Sequence, residues 1–170
     1  LTLRVNTART GRDGLCRELE AAGFAAEPTD ASPWGIRTSG AGLPACLTGD
    51  TPTAFAEDEA AQLAVWVLDP RAGERVLDAC AAPGGKSVLL SEKCGEITSF
   101  ELHEHRAELI RAYARRARRE NIAVFCKDSR IYDAAYEKSF DAVLCDVPCS
   151  GFGTVSENPD IRILKTEGVF

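Results

Sequence analysis

The stretch "RVLDACAAPGGKSVLLSEK", residues 75–93, decides how the rest of the chain is read. Its first six residues form a short apolar run, the pattern of a buried strand. Pro83, Gly84 and Gly85 break that run, and the residues after them have the pattern of a helix. A strand that turns through small residues into a helix opens a βαβ unit. The alternation continues downstream: strands are predicted over 96–102, 122–128 and 140–146, and helices over 84–93 and 103–120. Strands separated by helices imply right-handed crossovers and a mainly parallel sheet of buried apolar strands. In open sheets of this kind ligands bind beyond the carboxyl ends of the strands. The chemically distinctive residues fall there: Asp78 to Gly85, Glu101, Asp128, and Asp146 to Gly151.

Upstream the texture differs. "LTLRVN" (1–6) alternates like a strand. Residues 11–24 are amphipathic, with Leu15, Leu19 and Ala22 at helical spacing and Gly23 as a stop. Residues 28–44 are rich in Pro, Gly and Ser and read as turns around short strands. Residues 1–52 therefore read as a small α+β unit. Residues 53–170 read as the α/β core, introduced by an acidic-start helix within 56–70.

A hydrophobic fraction of 45% in 170 residues is enough to bury a core. The formal charge of -6 excludes a chain that is basic throughout, so any nucleic-acid surface must be local. No apolar run has the length of a membrane span, and no signal peptide opens the chain. The seven cysteines are an odd number and contain no C-x-x-C pair. That argues against zinc and for reduced, cytoplasmic thiols. The chain starts at Leu1 and contains no Met, so the reading expects a fragment, with methionines missing from the string.

Two sites are expected. At the first, Cys80, Ala81, Ala82, Pro83, Gly84, Gly85 and Lys86 form a strand-to-helix loop whose small residues admit a ligand close to the backbone. Free N–H groups at a helix start favour an anionic group there. The loop meets neither G-x-G-x-x-G nor the phosphate-loop pattern. Glu101, ending the second strand, is placed to accept ribose hydroxyls, and Asp128, ending the third, an adenine amino group. Each acid alone reads equally well as a solvated strand end; together they indicate a nucleoside cofactor. The second site lies in "FDAVLCDVPCSGFGTVSENPDIR" (140–162), where a strand runs into Asp146, Pro148 and Cys149.

"DACAAPGGKS", "HEHR" and "DVPCSGFGTVSENPDIR" together resemble the Sun-type (Nol/Nop/Sun) RNA cytosine-5 methyltransferases, and among them the bacterial 16S ribosomal RNA enzymes. The resemblance implies a Rossmann-like core using S-adenosylmethionine, preceded by a small RNA-recognition-like unit. It places the cofactor loop on Cys80 to Lys86, with Glu101 where Asp is more usual, and the remaining motif acids on Asp128 and Asp146. Its "PCSG" element falls on Pro148 to Gly151. The family's extra helical domain before the small unit has no counterpart in this string.

Carbon 5 of cytosine is a poor nucleophile until a thiolate adds to carbon 6, so the chemistry needs a thiol, an acid and a base. Asp146 supplies the acid near the base edge, Pro148 restricts the loop, and Gly151 and Gly153 keep it slim. In the resembled enzymes the covalent nucleophile sits in a later Thr-Cys-Ser element, and the "PCSG" cysteine assists breakdown of the adduct. Cys149 is accordingly expected to be the helper. Cys145 is expected to pack in the sheet, Trp34 and Trp66 in the core, and Arg106 to brace the second-strand turn.

Arg111, Arg115, Arg118 and Arg119 share a helical face that holds RNA phosphates or is merely solvated; Arg4, Arg9, Arg12 and Arg17 are the counterparts in the small unit. The expected function is RNA cytosine-C5 methylation, with ribosomal RNA as substrate and neither membrane nor metal as partner. The alternatives are a transfer-RNA enzyme or a non-catalytic RNA-binding module on the same fold; a nicotinamide dehydrogenase is disfavoured by the glycine pattern.

Overall fold

The structure is a computed structural model and describes residues 1–149, 151, 159 and 160. Two four-stranded sheets organise it. The first contains β1 (Thr2–Val5), β2 (Ala25–Pro28), β3 (Gly35–Ser39) and β4 (Ala54–Ala56), in antiparallel order β2-β3-β1-β4, with α1 (Arg12–Ala21) packed on it. Leu15 and Leu19 bury that helix, whereas Ala22 lies exposed just past its end. β4 follows the change of texture at Thr53 yet pairs with β1, because Leu3, Arg4 and Val5 stand opposite Ala56, Phe55 and Ala54.

After α2 (Glu59–Leu68) come β5 (Arg75–Asp78), α3 (Gly85–Ser91), β6 (Glu96–Glu101), α4 (Glu104–Ala117), β7 (Ile122–Cys126) and β8 (Ala142–Leu144). The order β7-β6-β5-β8 is parallel throughout, as the strand–helix alternation predicts. Leu3, Val5, Leu15, Leu19 and Ile36 of the first sheet and its helix share one buried cluster with Val76, Leu89, Leu90, Ile97 and Leu144 of the second sheet and α3. No helix among the described residues is long and apolar enough to cross a membrane.

Four expectations about burial are corrected. Phe125 in β7 and Val143 in β8 are about half exposed, so these strands are not buried on both faces as a parallel sheet requires. Cys145 is exposed because the backbone leaves the ladder after Leu144. Trp34 is buried, but Trp66 is exposed on α2. Arg4 is no RNA-facing residue: it is fully buried in β1, where cross-strand pairing brings it against β4.

Around Arg4 lies a buried charge cluster. Its Nε donates to Glu57 Oε2, its Nη1 donates to Glu92 Oε1 at 2.8 Å, and its guanidinium stacks 4.7 Å from the Phe55 ring. Glu92 also accepts from the Thr7 hydroxyl and faces Arg119 Nη2 at 3.8 Å. Glu57 precedes α2, Glu92 caps α3 and Arg119 follows α4, so one ionic knot ties the first sheet to the second unit.

Candidate functional site

Two cavities open at the carboxyl ends of β5, β6, β7 and β8, where the strand-end rule places a ligand. The larger holds about 470 Å³, within the range of small-molecule sites, and is walled mainly by apolar surface. Cys80, Glu101, Asp128, Arg130, Val147 and Pro148 contribute to its wall. The smaller, about 230 Å³, is lined by Glu57, Asp78, Ala81 to Pro83, Gly85, Lys86 and Asp146 among others. Cys80 lines both, so the loop after β5 separates and joins them.

The structure brings the expected residues together. Glu101 ends β6 and is 5% exposed; its Oε1 accepts from the His103 amide at 3.1 Å and faces Arg106 Nη1 at 3.5 Å. Arg106 also donates to the Ala82 carbonyl at 3.4 Å, so it braces the turn as expected, linking Glu101 to the loop. Asp128 reaches the same cavity, but Arg130 grips both of its oxygens, Nη2 to Oδ2 at 2.7 Å and Nε to Oδ1 at 3.0 Å. That grip holds the Asp128 carboxyl down at about 2. Lys86 Nζ lies 2.8 Å from Asp146 Oδ2 across the smaller cavity. Cys149 is exposed beyond Pro148. The expected slimming role of Gly153 lies outside the described residues, as does Ser150 of the "PCSG" element.

The two loop glycines also fit closely against neighbouring protein. Gly84 adopts φ +112, and a Cβ there would lie 3.1 Å from the Ile110 Cα of α4. A Cβ on Gly85 would lie 3.2 Å from Glu57 Oε1. Both are small because the loop is pressed against neighbouring protein as well as turned through a left-handed residue. Burial pushes the Cys80 thiol up, with Cys145 and nearby acids adding to it, which suits a backbone role better than a nucleophilic one.

Residues 65–170 match the family described as 16S rRNA methyltransferase RsmB/F, and residues 1–42 match the ferredoxin-like domain of the RsmF/B-like methyltransferases. The chain belongs to the RsmB/F family. It is 34% identical over 168 residues to "Probable ribosomal RNA small subunit methyltransferase B" of Bacillus subtilis, covering 96% of this chain and 38% of that protein. The crystal structure of PH0851 superposes with a TM-score of 0.86 at 29% identity, covering 99% of this chain and 40% of that one. A methyltransferase homologue from Pyrococcus horikoshii gives 0.77 at 27% identity, over 91% and 52%. The chain thus spans about two fifths of the length of the curated relatives it matches. The fold is the Rossmann-like methyltransferase core behind a small α+β unit.

In this RsmB/F core one residue carries more than the sequence reading gave it. Asp78 ends β5 at 1% exposure; Ser87 Oγ donates to its Oδ2 at 2.7 Å and Ser99 Oγ donates to Ser87 Oγ at 2.9 Å. Its Oδ1 has no hydrogen-bond partner among the described residues. Burial pushes the carboxyl up to about 6, against the Ser87 hydroxyl, the Cys80 amide and the charge of Lys86. The only signal in the sequence was its place, "VLDAC", at a strand end. A raised folded value means that stability is fully present in acid, below the ordinary carboxylate range, and is lost as pH rises to about 6. Asp78→Asn keeps an oxygen for Ser87 and does not ionise. Its stability should equal that of the wild type in acid and exceed it by about 3 kcal/mol above neutrality, read by urea denaturation at both ends. An unchanged difference across that range would exclude a costly buried charge.

Proposed function

We propose that this chain is the cofactor-binding part of a ribosomal RNA cytosine-C5 methyltransferase that uses S-adenosylmethionine. The observation that carries the reading is the pair of joined cavities and what their walls offer. A nucleoside needs an apolar slot with hydroxyl acceptors, and the larger cavity has Glu101 at its wall. An α-amino acid zwitterion needs opposite charges, and the smaller cavity has Lys86 paired with Asp146, with Glu57 also on its wall. Buried acceptors without donors stand beside it, Asp78 Oδ1 and Glu57 Oε1, as suits a cationic ligand. When bound, the cofactor supplies an electrophilic methyl group.

The chain's residues then divide the work. Glu101 holds the ribose and the loop from Cys80 to Lys86 borders the amino-acid end. Asp128, on the same wall, would accept from the adenine amino group; its present partner Arg130 is 83% exposed on its side chain. Asp146 orients and protonates the cytosine edge. Cys149, exposed past Pro148, acts as the proton-transferring helper rather than the covalent nucleophile. We further propose two units that meet at about Ala56, where β4 completes the first sheet, with the small unit serving RNA recognition and the whole protein working in the cytoplasm.

Two measurements test this. Calorimetry should show S-adenosylhomocysteine binding to this chain and weakened binding in Glu101→Ala. In the full-length enzyme, Cys149→Ala should trap a protein–RNA adduct that survives denaturant. A free variant enzyme with no adduct, the later cysteine being intact, would remove the helper role.

A further inference from the structure

We propose that a groove between the two units, at the other end of α4 from the larger cofactor cavity, is a second RNA contact that grips phosphates; this rests on the RNA reading above. The groove is lined by Asn6, Arg9, Thr51, Arg116, Arg118 and Arg119, drawn from the loop after β1, the loop before β4 and the end of α4. No carboxylate lines it.

The arginines are not equivalent once their partners are counted. Arg111 is held by Glu104 and Glu108, both at 2.6 Å, and Arg12 by the Ser32 carbonyl. Arg119 faces Glu92 inside the buried knot. Arg9 meets the Thr51 hydroxyl at 3.3 Å, and Arg116 gives one donor to the Leu47 carbonyl. Neither of these, nor Arg118, has an ion-pair partner among the described residues. Three guanidiniums without counter-charge converge on one groove of a chain whose net charge is -6. Cations at a helix C-terminus stabilise the helix dipole, which accounts for Arg116. It does not account for Arg9, which comes from the other unit. The dipole favours a cation at the cap residue Arg118 as well, although Arg118 stands at φ +54, where Gly or Asn is the favoured residue. A guanidinium fork with spare donors matches phosphate oxygens.

The position adds a length requirement. β6 and β7 are parallel, so α4 runs back along the sheet: His103 and Arg106 at its start line the larger cavity, Tyr113 lines the smaller one, and its end lies at the groove. Fourteen helical residues span about 21 Å. An RNA that spans from the larger cavity to the groove must cover about that length.

The test uses the full-length enzyme and fluorescence anisotropy with two labelled RNAs, a tetranucleotide containing cytosine and a hairpin of about thirty nucleotides. Arg9→Gln/Arg118→Gln should weaken hairpin binding on the order of tenfold near 0.1 M salt and shrink the slope of log K against log salt by about 1.4–1.8. Tetranucleotide binding, S-adenosylhomocysteine affinity and melting temperature should stay unchanged. Arg118→Asn, which suits the left-handed backbone, should give about half the slope change. Hairpin binding unchanged in both variants would overturn the proposal while leaving the RNA reading intact. Equal loss on both RNAs would overturn it as well, by placing the arginines at the target base. A wild-type enzyme that binds neither RNA would instead remove the reading on which the proposal rests.

Discussion

In the whole enzyme, Asp146→Ala is expected to lower kcat/KM for methyl transfer by about 10²- to 10⁴-fold, the range for a lost acid–base group. Asp146 follows the end of β8 with half its side chain open, and its partner Lys86 Nζ is 2.8 Å away. An exposed pair of this kind contributes no more than about 1 kcal/mol to folding. The protein should therefore keep its melting temperature while losing its chemistry, and that contrast separates a catalytic residue from a structural one. Asp146→Asn should lose nearly as much, because an amide keeps the shape and hydrogen-bonds but is neither acid nor base. Single-turnover methylation rates with saturating RNA and cofactor would show the effect in kcat. Activity within a few-fold of wild type would deny Asp146 its role.

The second large effect concerns stability and requires only the present chain. Arg4→Leu should destabilise it by about 3–5 kcal/mol, the cost of stripping a buried carboxylate of its partner. Arg4 is fully buried and answers two carboxylates, Glu57 and Glu92, whose side chains are 6% and 1% exposed. Leucine fills part of the volume but leaves Glu57 without its cation, and Glu92 with only the more distant Arg119. Against a usual total of about 5–15 kcal/mol, such a loss comes close to unfolding. Arg4→Leu/Glu57→Gln/Glu92→Gln should recover a large part of it, since buried ionic clusters replaced together are often near neutral. Urea denaturation of the single and triple variants would decide. A single variant within 1 kcal/mol of wild type would mean that the knot is solvated or loosely held.

The elements were legible because their periodicities are strong. Apolar runs alternate with 3.6-residue patterns from Arg75 to Leu144, and every predicted core strand and helix from 75 onward exists in the structure. Ends were less legible. β7 stops at Cys126 and β8 covers three residues, because the residues beyond them leave the ladder to form the cavity walls. Among site residues, Glu101, Asp128, Lys86 and Asp146 do converge on the cavities, since a parallel sheet sets its strand ends side by side. The arginines misled the reading. Helical spacing puts Arg111, Arg115, Arg118 and Arg119 on one face but does not show that Glu104, Glu108 and Glu92 have already claimed two of them.

What the sequence determined by itself was the order of strands and helices and the end of the sheet at which chemistry gathers, because both follow from local periodicity and chain connectivity. Only the tertiary structure decided which charges are spent and which are free. Arg4 and Arg9 are five residues apart and alike in sequence, yet one is buried between two carboxylates and the other faces an open groove. The state of a charge depends on partners distant in the chain, and no local pattern carries that information.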